Sequence, residues 1–362
     1  MLKIGIVGCG KIADQHVNAI MRIPGCEIVG VCDVEELMAK QLQERFKIKL
    51  SFNDVRRFLE KTQPDVVHIT TPPQSHYELG MTCLEAGCHV FVEKPFTLDT
   101  REAEGLIGLA NGKNLKITVG HNAQFTHAAR RMREIIGEGF LGGNPIHIES
   151  YYCYDLSNRS YAKALLGDRN HWIRKLPGKL LHNLISHGVS KIAEFLSGEN
   201  PEVIAYGATS LFLKDIGEED IIDELRVIIS DDKGSCTAYF TFSSQMRPLL
   251  NQLRIFGPKN GLIVDDDHQI VIKVKGAKYT SYLNQFVPPI EFAKEYLLNS
   301  FLNIKKFILS DFHMDSDRRF LTESFYRSII GNTALPIPYR EIILTSRIMD
   351  KIFGMIKKSN KS

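Results

Sequence analysis

The sequence predicts two domains: an α/β domain with a doubly wound parallel sheet, followed by an α+β domain with mainly antiparallel strands. Up to about residue 120, short continuous apolar runs alternate with helical patterns, as expected for parallel strands buried on both faces. Further along, strand-like runs follow one another with turn signals between them. A chain of 362 residues is also too long for one ordinary core.

The N-terminal elements alternate strictly. Predicted strands cover residues 3–8, 27–33, 65–71, 89–94 and 116–122. Predicted helices cover 11–22, 34–46, 54–61, 75–86 and 99–112. Asp99 is placed to cap the last of these helices, and Gly87 is placed to end the one before it. This repeated strand–helix order implies a doubly wound parallel sheet.

The second half is organised differently. Predicted antiparallel strands lie within residues 145–155, 201–210, 224–244 and 252–276, and "DDKG" and "PKNG" stand where hairpin turns belong. Predicted helices cover 126–138, 180–196, 289–309, 316–330 and 341–358. We therefore expect domains at residues 1–121 and 122–362, with the final helix, 341–358, compatible with packing on either one.

Composition excludes several classes of protein. The formal net charge of +3 is small for this length, which argues against nucleic-acid binding. No apolar run approaches the length of a membrane span. Seven cysteines show no metal-like spacing. We expect a cytoplasmic protein without a metal site.

The stretch "GIVGCGKIA" places Gly8 and Gly10 directly after a strand and at the start of a helix. Glycines allow a tight turn whose backbone N–H groups approach a pyrophosphate. We assign the loop, Gly8 to Ile12 with Cys9, Gly10 and Lys11, to cofactor binding. The next strand ends in Asp33, placed to bind an adenosine ribose. Its charge favours NAD over NADP; a glycine turn without a ligand is the alternative.

Other candidates follow later strands of the same sheet. Ligands of open parallel sheets lie beyond the carboxyl ends of the strands, so Thr71 and Pro72 are expected to line the cofactor cleft. His76 either contacts the cofactor or packs on the following helix. Glu93 and Lys94 precede Pro95, which restricts the backbone. Lys94 could hydrogen-bond a reacting alcohol beside a nicotinamide; a surface Glu–Lys pair is the alternative.

Two further groups are candidates for substrate binding. Asn183 and His187 are four residues apart in the helix predicted over 180–196, hence on one face. His187 has the acid–base range of a proton acceptor, although a lone histidine in a helix is more often structural. Arg159, Trp172 and Arg174 combine aromatic and guanidinium groups that suit sugars and phosphates. A solvated loop anchored by the tryptophan is equally compatible.

The chain resembles the Gfo/Idh/MocA family, the group of glucose–fructose oxidoreductase and inositol dehydrogenase. The resemblance rests on "GIVGCGKIA", on "AGCHVFVEKP", on "PGKLLHNLISHG" and on "YRSIIGNTALPIP". It implies a Rossmann domain followed by a domain with a large open, mainly antiparallel sheet. It also implies hydride transfer between NAD(P) and a sugar, cyclitol or nucleotide-sugar hydroxyl. Lys94 and His187 match the family's catalytic lysine and histidine, while Asn183 replaces the family's aspartate.

The segment "GHNAQF" departs from the family as well, because it lacks the arginine that many relatives carry before this phenylalanine. We assign Asn122 to the cofactor and Gln124 to the substrate. The resulting prediction is an NAD-dependent oxidoreductase with Lys94, His187 and Asn183 at its catalytic centre. A nucleotide sugar is the leading substrate, and a homodimer or homotetramer through the C-terminal sheet is expected. An NAD-dependent glycosidase and a non-catalytic NAD-bound sensor are the alternatives.

Overall fold

A computed structural model describes residues 1–276, 279–280, 282–309 and 316–359. The chain forms two compact units. The first comprises residues 1–122 with the described part of 315–346, and the second comprises the described parts of 123–314 and 347–362. The fold class predicted from the sequence is confirmed: one parallel sheet lies in the first unit and a mainly antiparallel sheet lies in the second.

The first unit is built on a six-stranded parallel sheet in the order β3-β2-β1-β4-β5-β6. Its strands are β1 (Leu2–Val7), β2 (Cys26–Cys32), β3 (Ser51–Phe52), β4 (Val66–Ile69), β5 (His89–Val92) and β6 (Ile117–Val119). Its connecting helices are α1 (Lys11–Met21), α2 (Glu36–Phe46), α3 (Val55–Thr62), α4 (His76–Glu85) and α5 (Thr100–Gly112). The strand order reverses beside β1. Because neighbouring strands of this sheet are parallel, β1, β4 and β5 end at the same edge.

Local signals in this unit act as predicted. The Asp99 side chain accepts a hydrogen bond from the Glu102 N–H at 2.9 Å and so caps α5. Gly87, with φ +86°, follows the end of α4 and turns the chain into β5. The two-residue edge strand β3 has no counterpart in the sequence prediction, because so short a strand carries no periodic pattern.

The second unit contains a seven-stranded sheet in the order β13-β12-β11-β7-β10-β9-β8. Its strands are β7 (His147–Cys153), β8 (Glu202–Ala208), β9 (Glu224–Ser230), β10 (Thr237–Ser243), β11 (Gln252–Phe256), β12 (Asn260–Asp265) and β13 (Ile270–Lys275). All neighbouring pairs are antiparallel except β7 with β10, which is parallel. Strands β9 and β10 are joined at "DDKG", where Gly234 has a φ of +66°.

The helices of this unit differ from the prediction in four places. They are α6 (His127–Gly137), α7 (Arg159–Leu166), α8 (Lys179–Leu184), α9 (Ser186–Ala193), α10 (Leu211–Asp215) and α11 (Leu283–Ile308). The single helix predicted over 180–196 is wrong: the structure divides it at Ile185. Helix α11 begins before Pro289 and keeps two prolines in its first turns. Helix α7 occupies what the sequence suggested as an irregular loop, and the short helix α10 is unpredicted.

Two long helices complete the described chain. Helix α12 (Ser316–Ile330) lies in the first unit and packs on α1, although it follows the second sheet in sequence. Helix α13 (Tyr339–Ser359) is shared, with residues up to 346 grouped in the first unit and later residues in the second. Within the described ranges, no helix combines the length and apolarity needed to cross a membrane.

Candidate active site

The glycine loop between β1 and α1 has the geometry of an anion-binding turn. Gly8 has a φ of +96°, and a Cβ there would lie 2.7 Å from the Thr71 backbone nitrogen, so only glycine fits. Gly10 is the N-cap of α1, and a Cβ built on it would meet nothing within 4 Å. Open space therefore faces a helix N-terminus, which favours a phosphate. Ala13 is fully buried and allows close helix packing.

Asp33 follows β2 and is tied to the glycine loop. Its Oδ2 accepts a hydrogen bond from the Cys9 N–H at 2.7 Å, and its Oδ1 accepts one from the Glu35 N–H at 2.9 Å. Each carboxylate oxygen has a further lone pair, and the side chain is only partly buried. The carboxylate is thus held in place while still able to accept hydrogen bonds from ribose hydroxyls. The loop and Asp33 together fit a dinucleotide.

Asp33→Ala is expected to weaken NAD binding by about 10–100-fold, because hydrogen bonds to a charged group contribute roughly 1.5–3 kcal/mol. NADP binding should fall less or rise, since the repulsion of its 2′-phosphate is removed. Titration of both cofactors into wild type and variant measures the change in preference. Glu36→Ala, which alters an exposed carboxylate paired with Lys40, is the matched control. If the wild-type protein binds NADP as tightly as NAD, then the Asp33 carboxylate does not exclude the 2′-phosphate.

His76 connects the loop after β4 with the loop after β5. Its ring is fully buried; Nε2 lies 2.9 Å from the Thr71 carbonyl oxygen, and Nδ1 lies 2.9 Å from that of Pro95. Burial lowers the pKa of His76, opposed by the hydrogen bonds to these carbonyls. Of the two predicted roles, this position favours packing over cofactor contact. Thr71 itself accepts a hydrogen bond from the Ser75 hydroxyl at 2.7 Å, and Pro72 is exposed.

Lys94 stands just beyond the carboxyl end of β5, on the sheet edge that carries the glycine loop. Its side chain is half-buried. Burial lowers the pKa of Lys94; the Glu93 carboxylate opposes this shift, and the Arg318 guanidinium adds to it. A lysine with a lowered pKa beside a candidate cofactor site is suited to proton transfer or hydrogen-bond donation to a reacting oxygen.

Glu93 ends a buried chain of polar side chains inside the first unit. Glu93 and Arg318 form an ion pair through Oε1 and Nη1, with both side chains 6% exposed or less. His16 Nε2 lies 2.8 Å from the same Oε1, and His16 Nδ1 lies 2.8 Å from His68 Nδ1. His68 Nε2 lies 2.7 Å from the Tyr326 hydroxyl oxygen.

Chemistry fixes one proton of this chain. A carboxylate only accepts, so His16 donates from Nε2 to Glu93. Burial, with His16 next, lowers the pKa of His68, which keeps it neutral. Burial alone would raise the pKa of Glu93, but Arg318 and His16 hold it well below its usual range. Glu93 is therefore an ionised buried group whose Oε2 accepts a hydrogen bond from the Lys94 N–H at 3.0 Å, a position that favours support of Lys94 over cofactor contact.

His121 is a candidate that the sequence did not reveal. It follows β6, is 2% exposed and senses the charges of Glu93 and Lys94. Burial lowers its pKa to about 4, so the imidazole is neutral at pH 7. Its Nε2 has no hydrogen-bond partner within the described chain, which leaves it available to a bound group. The neighbouring Asn122 donates to Asp317 Oδ2 at 2.7 Å.

The second unit carries the other predicted catalytic residues. Asn183 lies in α8 and His187 in α9, and both are half-buried among buried neighbours. The division at Ile185 is slight, because its φ and ψ of −72° and −16° stay in the helical region. The His187 ring packs on Tyr152 of β7, with centroids 5.4 Å apart. Both side chains thus retain a partly accessible position after the helix is divided.

The predicted substrate-binding arginines have different surroundings. The Arg174 side chain is 5% exposed and pairs with Glu218 at 2.8 Å and Asp220 at 2.9 Å. These contacts favour a structural role for Arg174. Arg159, in contrast, is exposed on α7, and Trp172 is half-buried beside His171.

Gln124 is also placed in the interior of the second unit. Its side chain is 1% exposed, and its Nε2 donates to the Ser190 carbonyl oxygen at 3.3 Å. Its backbone oxygen accepts from Arg133, which pairs with Glu194. This arrangement favours support of α9 over the predicted substrate contact. Across the described residues, no cluster of histidine, cysteine, aspartate or glutamate could hold a metal ion.

The glycine loop and Asp33 form a site that fits a dinucleotide, and the Glu93-Lys94-Pro95 segment lies on the same edge of the sheet. Residues 2–121 match the family model described as an oxidoreductase family with an NAD-binding Rossmann fold. The model is that of the Gfo/Idh/MocA oxidoreductases, and the matched residues include the glycine loop, Asp33 and Lys94. The resemblance noted in the sequence is thereby confirmed.

Similar proteins include several dehydrogenases. Myo-inositol 2-dehydrogenase of Thermotoga maritima is 20% identical over 289 residues, which is 79% of this chain and 83% of that protein. UDP-N-acetylglucosamine 3-dehydrogenase of Acidithiobacillus ferrooxidans is 30% identical over 149 residues, 41% of this chain and 44% of that protein. The WlbA dehydrogenase of Bordetella pertussis, solved with NADH and UDP-GlcNAcA, shares the fold with a TM-score of 0.75 at 16% identity. That likeness covers 99% of this chain and 97% of WlbA.

Proposed function

We propose that this protein is an NAD-dependent dehydrogenase that transfers hydride between NAD and a secondary hydroxyl of a sugar, cyclitol or nucleotide sugar. The observation that carries the proposal is Lys94, half-buried with a lowered pKa on the sheet edge of the glycine loop. The named relatives support the substrate class, since they act on a cyclitol and on a nucleotide sugar. NAD, when bound, supplies the hydride acceptor.

The residues of this chain then have distinct roles. The Gly8–Ile12 loop and Asp33 hold the dinucleotide. Lys94 donates a hydrogen bond to the substrate oxygen and stabilises the charge that develops there. His187 accepts the hydroxyl proton, and Asn183 orients the substrate or His187. Arg159 is exposed and Trp172 is half-buried, which supports them as contacts for the rest of the substrate, whereas Arg174 is buried in ion pairs with Glu218 and Asp220.

An assay of NADH formation over a panel of cyclitols, sugars and nucleotide sugars tests the proposal. A dehydrogenase produces NADH in step with oxidised product. An NAD-dependent glycosidase would release free sugar without net NADH, and a sensor would bind NAD without any turnover. Either of the last two results would contradict the proposed reaction.

Asn183→Ala is expected to lower turnover by only about tenfold, because an orienting amide supplies less than the base itself. His187→Ala should cost clearly more, about 10²–10⁴-fold. Asn183→Asp should move the acidic limb of the pH–rate profile to higher pH, since a new carboxylate favours the protonated imidazolium. Steady-state rates from pH 5 to 10 measure both effects. If the two alanine variants lose turnover equally, or if the acidic limb of the Asn183→Asp profile does not move, then His187 is not a base that Asn183 orients.

We also propose a cytoplasmic homo-oligomer that assembles through the open face of the seven-stranded sheet. All seven cysteines are free thiols, which suits a reducing compartment. Outward-facing side chains on neighbouring strands of this sheet are large and apolar; Ile204, Tyr206, Ile228 and Tyr239 are all exposed. Such a face favours sheet-to-sheet contact between copies.

A further inference from the structure

Helix α11 turns polar side chains toward the sheet and apolar side chains away from it. Its less exposed residues recur every fourth position, and after Val287 and Pro288 at the start of the helix they are polar: Glu291, Glu295, Asn299 and Asn303. Asn299 is 2% exposed; its Oδ1 accepts from the Val271 N–H and its Nδ2 donates to the Val271 carbonyl, both at 2.9 Å. The helix therefore binds the edge strand β13 through its polar stripe.

The large apolar side chains of α11 face away from the sheet. Phe286, Ile290, Leu297, Phe301, Ile304 and Phe307 are each 55–74% exposed. A helix on the surface of a monomer normally shows the opposite pattern, with its apolar stripe toward the core. No described residue covers this face. Since a large side chain carries on the order of 150–250 Å², these six together present roughly 600–1,000 Å².

That area approaches what a stable protein interface needs, about 800 Å² on each partner. Monomeric proteins seldom expose apolar patches so large without a function. A helix of 26 residues is about 39 Å long, so two such helices could cover each other over most of their length. A second copy of the chain brings an identical apolar face to the contact.

We infer that α11 docks against α11 of a second copy, antiparallel about a two-fold axis near Leu297, at the middle of the apolar face. This contact uses a surface other than the sheet face proposed above. Antiparallel packing opposes the two helix dipoles, whereas parallel packing would bring the Lys294 side chains of the two copies together.

Charge reversal on the apolar face tests the inference. The double variant Leu297→Glu with Phe301→Glu should weaken self-association at least 100-fold and halve the mass measured by sedimentation at micromolar concentration. Leu211→Glu, on the 77% exposed residue of α10, is the matched control and should keep the wild-type mass. Far-UV circular dichroism verifies folding. A monomeric wild type, or a double variant with unchanged mass, would overturn the inference.

Cysteine cross-linking tests the arrangement without adding charge. Leu297→Cys should give a disulfide-linked dimer under mild oxidation, because a central two-fold axis brings the two copies of residue 297 together. Ile290→Cys should not, since antiparallel helices separate those residues by about 21 Å. Cross-linking at 290 as well as 297 would indicate parallel packing, and cross-linking at neither would exclude the contact. Co-sedimentation of wild type with anionic phospholipid vesicles, lost in the glutamate variant, would assign the face to lipid instead.

Discussion

Lys94→Ala is expected to lower kcat by about 10²–10⁴-fold, the usual loss when a positioned acid–base group is removed. The effect arises because Lys94 donates to the substrate oxygen as negative charge builds there. NAD affinity should change little, since the dinucleotide is held by the glycine loop and Asp33. Steady-state turnover on the substrate found by the panel, beside NAD titration of the same variant, separates the two effects.

Two further variants sharpen this result. Lys94→Arg should not restore turnover, because a planar guanidinium cannot replace a compact ammonium in a half-buried position. Lys113→Ala, on an exposed lysine at the end of α5, should leave kcat unchanged. Turnover near the wild-type rate in Lys94→Ala would make Lys94 a structural residue and refute the proposed mechanism.

Arg318→Met is expected to lower the free energy of unfolding by about 3–5 kcal/mol, because removing one partner leaves the other buried and uncompensated. Both Glu93 and Arg318 are almost completely buried. The double variant Glu93→Gln with Arg318→Met should recover a large part of that loss, since the unpaired carboxylate is gone. Urea unfolding of the wild type, both single variants and the double variant gives the coupling energy. Additive losses would show that the pair does not stabilise the fold as a unit.

The same pair makes stability depend on pH in a defined direction. The pKa of Glu93 is held well below its usual 4.5 by Arg318 and His16, despite the opposing effect of burial. Its contribution is therefore complete above about pH 4.5 and is lost as the pH falls toward the lower value of the folded state. The double variant, which lacks this carboxylate, should lose less stability over the same acidic range.

Local patterns predicted the parts of the molecule that depend on nearby residues. The alternation of the first unit, the φ > 0 position of Gly8 and the cap at Asp99 all follow from short segments. The division of the helix predicted over 180–196 and the early start of α11 could not be predicted in this way. Both depend on packing against other parts of the chain. Arg174 illustrates the same limit, since its partners Glu218 and Asp220 lie more than forty positions away.

The buried chain around Glu93 could not be predicted for a related reason. His68 and Tyr326 are 258 positions apart, and histidines at 16 and 68 show no spacing that implies contact. Glu93 and Lys94 were recognised from the motif, but their electrostatic support comes from a helix that follows the second sheet. Only the folded chain shows that Arg318 is the counter-ion.

The distance along the chain between Glu93 and Arg318 has a consequence during synthesis. The two are 225 positions apart, and at about 5–20 residues per second the ribosome needs roughly 10–45 s to add the arginine after the glutamate. By the end of that interval the nascent N-terminal segment contains β1 to β6 but still lacks α12. Its carboxylate has no guanidinium partner, and His68 has no phenol beside it. The first unit can therefore reach its final state only after most of the second has been translated.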